Sequence, residues 1–228
     1  MKAVRMKLSE LVMDFSIYPR ASLDSQHVSY LREADDAGFK LPPVVVEAKS
    51  KRIVDGFHRV KMYRAHYGDD YEIEVLLKSY PNDRELLLDS IRYNAHHGRT
   101  LSRYDRTHCI TLAAEMKIPE AELASALSIR VEKIGELRVG RTGELKIGNT
   151  IKTIALKRTI GHMAGLRLNK GQQEVNERLG GMNQVFYVNQ IIMLIQSGLL
   201  NTADENLMAK IADLRRLLDG LKQLKCSG

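Results

Sequence analysis

Cysteine is scarce in this chain. Cys109 and Cys226 stand far apart, at neither CxxC nor metal-ligand spacing, which argues against a disulfide framework or a thiolate metal centre. No apolar run approaches the ~18–20 residues needed to span a bilayer. The opening Met1-Lys2-Ala3-Val4-Arg5 lacks the apolar core of a secretory signal. Internal repeats, low-complexity tracts and long Pro/Ser linkers are missing too. These absences lead us to expect a reduced, cytoplasmic protein. Its 228 residues, with 44% hydrophobic and 28% charged side chains, suit one or two ordinary globular domains.

Acidic excess is also lacking, and the formal net charge of +7 is unevenly placed. Residues 1–140 carry 22 Lys/Arg against 21 Asp/Glu, and residues 171–228 carry 6 of each. In between, Arg141, Lys146, Lys152, Lys157, Arg158, Arg167 and Lys170 face only Glu144. A localised positive segment of this kind is expected where a protein meets a phosphate backbone. The plainer alternative is a solvated basic linker.

Along the chain, residues 1–20 offer a short helix or strand ended by Tyr18-Pro19-Arg20. Asp24 can cap a helix that stops at Gly38. Val44-Val45-Val46 and Arg52–Asp55 read as short strands, His58–Tyr67 as a helix, and Tyr71–Tyr80 as a third strand. From Asp83 onward the pattern is helical almost throughout. Helices are expected at Asp83–Ala95, after the cap Ser102, as two short segments across Pro119–Val139, and at Gln172–Leu179, Asn183–Gln196 and Asp204–Leu224.

The densest chemistry lies in Asp55-Gly56-Phe57-His58-Arg59, between a strand and a helix. Gly56 permits a tight, positive-φ turn, and the following helix would direct its free N–H groups at a bound anion. Arg59 can grip a phosphate bidentately, and His58 can donate to it or move a proton. Alternatively, Asp55 merely caps the helix and Arg59 pairs with a carboxylate such as Glu47. A second cluster, Asn94-Ala95-His96-His97-Gly98-Arg99, falls at a helix end, where Gly98 is a stop and the histidines suit the dipole. Adjacent histidines point apart on a helix, so no metal set is completed there.

The two strings in this order, continued by Leu101-Ser102-Arg103-Tyr104-Asp105-Arg106, resemble the ParB/sulfiredoxin superfamily. The form is similar to ParB-like transcription regulators of the streptomycin-regulator type, with their DGxHR and NxxHGxxLSxxDR patterns. Tyr18-Pro19-Arg20 and Leu41-Pro42-Pro43-Val44 sit where that family's opening segment and first strand would fall, and the resemblance covers roughly residues 8–140. It implies a ParB N-terminal fold, whose partition members bind and hydrolyse CTP with magnesium and act on DNA. By position, Arg59 matches the arginine facing the triphosphate and Asn94 the asparagine supporting the metal. Phe57 replaces an acidic magnesium contributor, while His58 and His97 replace arginines. A nucleotide pocket is therefore implied without the full magnesium set. Phe57 also stands where sulfiredoxins carry their reactive cysteine, which excludes that chemistry.

Residues 119–139 fit helix-turn-helix spacing, with Ala124 and Ile134 ten residues apart and able to meet across the turn. Ser128 stands where many such motifs use glycine. Arg130, Lys133 and Arg138 would face a major groove, interrupted by Glu132 and Glu136. The alternative is an αα-hairpin with a solvated face. Beyond it, the stripes Val185–Ile195 and Leu207–Leu224 suit domain core, and the second, which continues nearly to the C-terminus, suits a dimer contact as the alternative.

The sequence thus predicts an α+β protein in three parts: a small ParB-like α/β domain (1–98), a helix-turn-helix region (99–145), and a basic segment with a C-terminal helical domain (146–228). Everything after the first domain is expected to be helical. The expected function is nucleoid-associated DNA binding of the partition or transcription-regulator type, by a homodimer. Arg130, Lys133 and Arg138 would meet bases, and Arg141, Lys146, Lys152, Lys157 and Arg158 would meet phosphates. Asp55, Gly56, His58, Arg59, Asn94 and His97 would form a pocket for CTP or another nucleotide. A rival reading makes that pocket catalytic, as a nucleotide hydrolase, small-molecule kinase or nuclease, with His58 or Asp55 as base and Arg59 stabilising phosphoryl charge. A third makes the chain an assembly module with a degenerate pocket.

Overall fold

The computed structural model describes residues 2–96 and 100–225. The chain divides into two compact units, Met1–Gly181 and Met182–Gly228.

The first unit opens with strand β1 (Lys2–Lys7), which settles the helix-or-strand ambiguity of the opening residues. Asp24 accepts hydrogen bonds from the amides of Gln26 and His27 and so starts α1 (Ser25–Asp36). Gly38, at φ +80°, turns the chain away. Strands β2 (Val44–Glu47) and β3 (Ile53–Asp55) follow, then α2 (Phe57–Tyr67), β4 (Glu72–Lys78) and α3 (Asp83–His96). The sheet order is β1-β4-β2-β3, with β2 parallel to β4 and the other pairs antiparallel.

The unbroken valine run of β2 is explained by cover on both faces. Val44 and Val46 pack with Phe57 and Val60 of α2, whereas Val45 packs with Leu86 of α3. The sheet is thereby fixed between two helical layers, and the turn joining β3 to α2 is held at its edge.

A helical layer follows: α4 (Arg103–Glu115), α5 (Glu120–Leu127) and α6 (Val131–Arg141). Ser102 starts α4 through a reciprocal capping box with Asp105. Leu88 and Ile91 of α3, Cys109 and Ile110 of α4, and Ala124 and Ile134 share one buried core. The expected meeting of Ala124 and Ile134 across the turn is therefore part of this core.

The expectation of helix throughout the rest fails in one place. Residues of the basic segment form a second sheet of three strands: β5 (Thr142–Ile147), β6 (Thr150–Ala155) and β7 (Arg167–Leu168), in the order β6-β5-β7. The cause is local: Leu145 lies on one face and packs inward, β6 is rich in β-branched residues, and the Gly148-Asn149 pair closes a tight hairpin between the two strands. Helix α7 (Lys170–Arg178) completes the unit, with buried Asn176 accepting from the Lys157 amide (2.7 Å) and donating to the Ala155 carbonyl (2.8 Å).

The second unit holds α8 (Gln184–Gln196) and α9 (Glu205–Lys225). Helix α8 carries no charged residue and buries none of its side chains. No helix among the described residues is long and apolar enough to cross a membrane.

Candidate functional site: a polar pocket and a helix pair

The β3–α2 turn forms one wall of a cavity of about 470 Å³ that also receives Tyr18, Arg20, His27, Tyr93 and Asn94. Gly56 adopts φ +109°, as the turn requires, and a Cβ there would lie 3.0 Å from Val44 Cγ2 and 3.1 Å from Arg59 Nη2. As the N-cap of α2, Gly56 offers no side-chain acceptor to the first amides of the helix. An uncapped helix start that lines a cavity is suited to an anion, because its N–H groups converge and its dipole end is positive.

Arg59 sits beside this start, but its guanidinium is already engaged. Nη2 reaches Asp55 Oδ2 at 2.6 Å, and Nη1 donates to the carbonyls of Pro42 and, at 2.9 Å, Pro43. Its carboxylate partner is Asp55 and not Glu47, which accepts instead from the Lys49 and Ser50 amides. Asp55 is the one carboxylate among the described residues lining the cavity. The residues present thus fit a phosphate-bearing ligand better than a metal, whose charge would find a single, arginine-bound carboxylate.

Asn94 is buried and bridges two elements. Its Oδ1 accepts from Arg20 Nε at 3.1 Å, and its Nδ2 donates to the Ser90 carbonyl at 3.0 Å. His58 turns toward the start of α1, where its Nε2 accepts from the Asp24 amide at 3.1 Å. Burial, helped by neighbouring His27 and Arg20, pushes its pKa down to about 4, so the ring is neutral at physiological pH. Phe57 is buried and stacks on Tyr18, with centroids 4.3 Å apart. His97 lies outside the described residues. The structure therefore gathers Asp55, Gly56, His58, Arg59 and Asn94 around one cavity. It adds Arg20 and His27, which sequence reasoning left out of the site. Arg20 did carry a signal, the Tyr18-Pro19-Arg20 string that the resemblance sets in the opening segment; His27 carried none.

The second candidate surface is the α5–α6 pair. Ser128 takes the left-handed conformation (φ +53°, ψ +47°) that joins the helices. Lys133 pairs with Glu136, Arg138 with Glu120 at 2.6 Å, and Lys152 with Glu115 at 3.1 Å. These are exposed pairs, worth ~0–1 kcal/mol each, so a phosphate can displace the carboxylates at little cost. Arg130, Arg141, Lys146 and Arg158 make no ion pair among the described residues. Lys157 differs: its Nζ donates to the Glu177 carbonyl (2.7 Å) and lies over the Tyr104 ring, so it helps hold α7 in place.

With this geometry in view, the chain can be set beside known proteins. No family model matches it. Over 88 residues it is 33% identical to the transcriptional regulator NovG of Streptomyces niveus. The match takes in 38% of this chain and 26% of NovG, so the chain spans about a quarter of that relative. Among solved structures, a Pnob8-like ParB-N domain gives a TM-score of 0.41 at 13% identity, covering 68% of this chain and 57% of that one. The C-terminally truncated chromosome-partitioning protein ParB of Caulobacter crescentus, complexed with CTP-γ-S, gives 0.38 at 12% identity, covering 60% and 77%. The same protein complexed to the centromeric parS site gives 0.42 at 14%, covering 59% and 69%. The chain is thus similar, over part of its sequence, to a transcriptional regulator.

Proposed function

We propose that this chain is a ParB-like DNA-binding protein, of the partition or transcription-regulator type, with a nucleotide-type pocket in its N-terminal domain. The observation that carries the reading is the α5–α6 pair. Its inner residues, Ala124 and Ile134, are locked in a shared core, its turn is short, and its outer face and the chain just beyond present Arg130, Lys133, Arg138 and Lys146 to solvent, with Arg141 half-buried among them. Such a pair places the second helix in a major groove while flanking cations take phosphates.

Fluorescence anisotropy with duplex DNA at several salt concentrations tests this. The four cations without ion pairs alone give a log–log salt slope of about −3 to −4, at ~0.9 per neutralised phosphate. Absence of binding even at low salt overturns the proposal.

The pocket, in this reading, takes the phosphates of CTP or another nucleotide on the open start of α2. Arg59 exchanges its Pro42 and Pro43 carbonyls for phosphate oxygens. Calorimetric titration with CTP, ATP and ADP, with and without magnesium, should show binding that Arg59→Ala removes. Binding without turnover supports a sensing role; turnover lost in Arg59→Ala supports the catalytic alternative. The uncharged helix α8, exposed along most of its length, is read as the contact with a second copy, because an exposed apolar surface of this kind is rare on a monomer.

A further inference from the structure

We infer that the β5–β6 hairpin is a wing: a second DNA-contacting element that reaches the backbone and groove beside the segment read by α6. This rests on the DNA-binding reading above and adds to it a separate contact zone.

The hairpin continues α6 without a loop, since Thr142 is both the residue that ends the helix and the first residue of β5. Its tip is the two-residue Gly148-Asn149 turn, with Gly148 at φ +57° and Ile147 paired with Thr150. One face packs inward through Leu145, and β6 lies along α4. Lys152, paired with Glu115 at 3.1 Å, ties the outer half of the hairpin to the C-terminal end of α4. That end leads directly through Met116–Pro119 into α5, so the tip stands on the side where α5 begins. In helix-turn-helix docking the first helix crosses the DNA backbone. Six residues per strand extend about 20 Å at ~3.3 Å each, further than the ~12 Å width of a major groove.

The outward side chains suit this position. Lys146 and Ile151 are cross-strand partners on the face opposite Leu145, and β7 adds Arg167 next to Glu144 on the same face. Glu144 is the one acid of the hairpin and its neighbouring strand. Ile147 and Ile151 are each 55% exposed, one on either side of the tip. An asparagine at the tip beside projecting isoleucines suits a minor groove, its amide to the base edges and the apolar groups against sugars or between steps, while Lys146 behind the tip is placed to take a phosphate. A plain solvated linker explains neither the ordered hairpin nor its exposed isoleucines.

The full chain serves for the test, with p-benzoylphenylalanine placed at position 149 or, as a reference, at exposed position 30 on α1. Illumination with duplex DNA should cross-link from position 149 and not from position 30. Lys146→Ala should lower the log–log salt slope by about 1 and leave preference among DNA sequences unchanged, as loss of one phosphate contact does. If the wild type binds duplex DNA but position 149 gives no cross-link and Lys146→Ala keeps the full slope, the wing is overturned and the DNA-binding reading stands. If the wild type binds no duplex at any salt, both fall together.

Discussion

Replacing Gly56 by alanine probes the turn on which the pocket depends. Two separate penalties apply. A side chain at φ +109° is held in left-handed backbone, which costs ~1–2 kcal/mol for an L-residue. The added Cβ would also stand 3.0 Å from Val44 Cγ2 and 3.1 Å from Arg59 Nη2. Val44 belongs to a strand buried on both faces and cannot give way freely. Overpacking of this kind costs ~1–3 kcal/mol. Together Gly56→Ala should destabilise the protein by about 2–5 kcal/mol. With an m-value of ~2 kcal/mol/M in urea, the unfolding midpoint falls by roughly 1–2.5 M. Gly135→Ala is the matched reference. Gly135 lies inside α6, has no positive φ, and its added Cβ would meet nothing within 4 Å, so this change should stabilise by ~0.5–1 kcal/mol through helix propensity. Urea denaturation followed by circular dichroism reads both. A Gly56→Ala midpoint indistinguishable from wild type would refute the turn geometry and, with it, the close approach of Arg59 to the start of α2.

Two further outcomes are expected. The His58 pKa is depressed in the fold from 6.5 to about 4, so the unfolded chain takes up the proton first as pH falls. Stability should therefore be undiminished above about pH 6.5 and decline between there and about pH 4; His58→Gln should flatten that decline in urea midpoints measured across the range, and an unchanged slope would contradict the burial of the ring. Sedimentation velocity should show a concentration-dependent dimer that Ile191→Lys with Ile195→Lys converts to monomer, and a wild-type monomer at high concentration would leave α8 without its second copy.

The sequence made much of the first unit readable, because its signals are short-range. Asp24 and Ser102 mark helix starts through bonds to residues two and three positions on, and Gly38 and Gly68 mark stops. The valine run of β2 and the apolar periodicity of α3 to α6 report burial directly. The second sheet was overlooked although its signal was present. Thr150-Ile151-Lys152-Thr153-Ile154 is rich in β-branched residues, as strands are, and Gly148-Asn149 is a hairpin turn, but the concentrated charge of residues 141–170 suggested a linker or contact segment. The pocket was legible as a location and not as a set of bonds. That Arg59 holds Pro42 and Pro43, that His58 accepts from Asp24, and that Asn94 joins Arg20 are contacts across 16 to 74 positions of chain. No local pattern encodes them.

The strand order of the first sheet also governs when the pocket can exist. β4 lies between β1 and β2, so neither of those strands has its central partner until residues 72–78 are available. The pairing Lys2 with Leu77 closes a loop of more than seventy residues, a slow, entropically costly event compared with the local helices. Asn94 and Tyr93 must then arrive on α3 before the cavity gains its far wall. A chain growing from its N-terminus would therefore hold an open β2–β3–α2 hairpin with no ligand site, and would acquire that site late, once α3 has docked on Val45 and Val54.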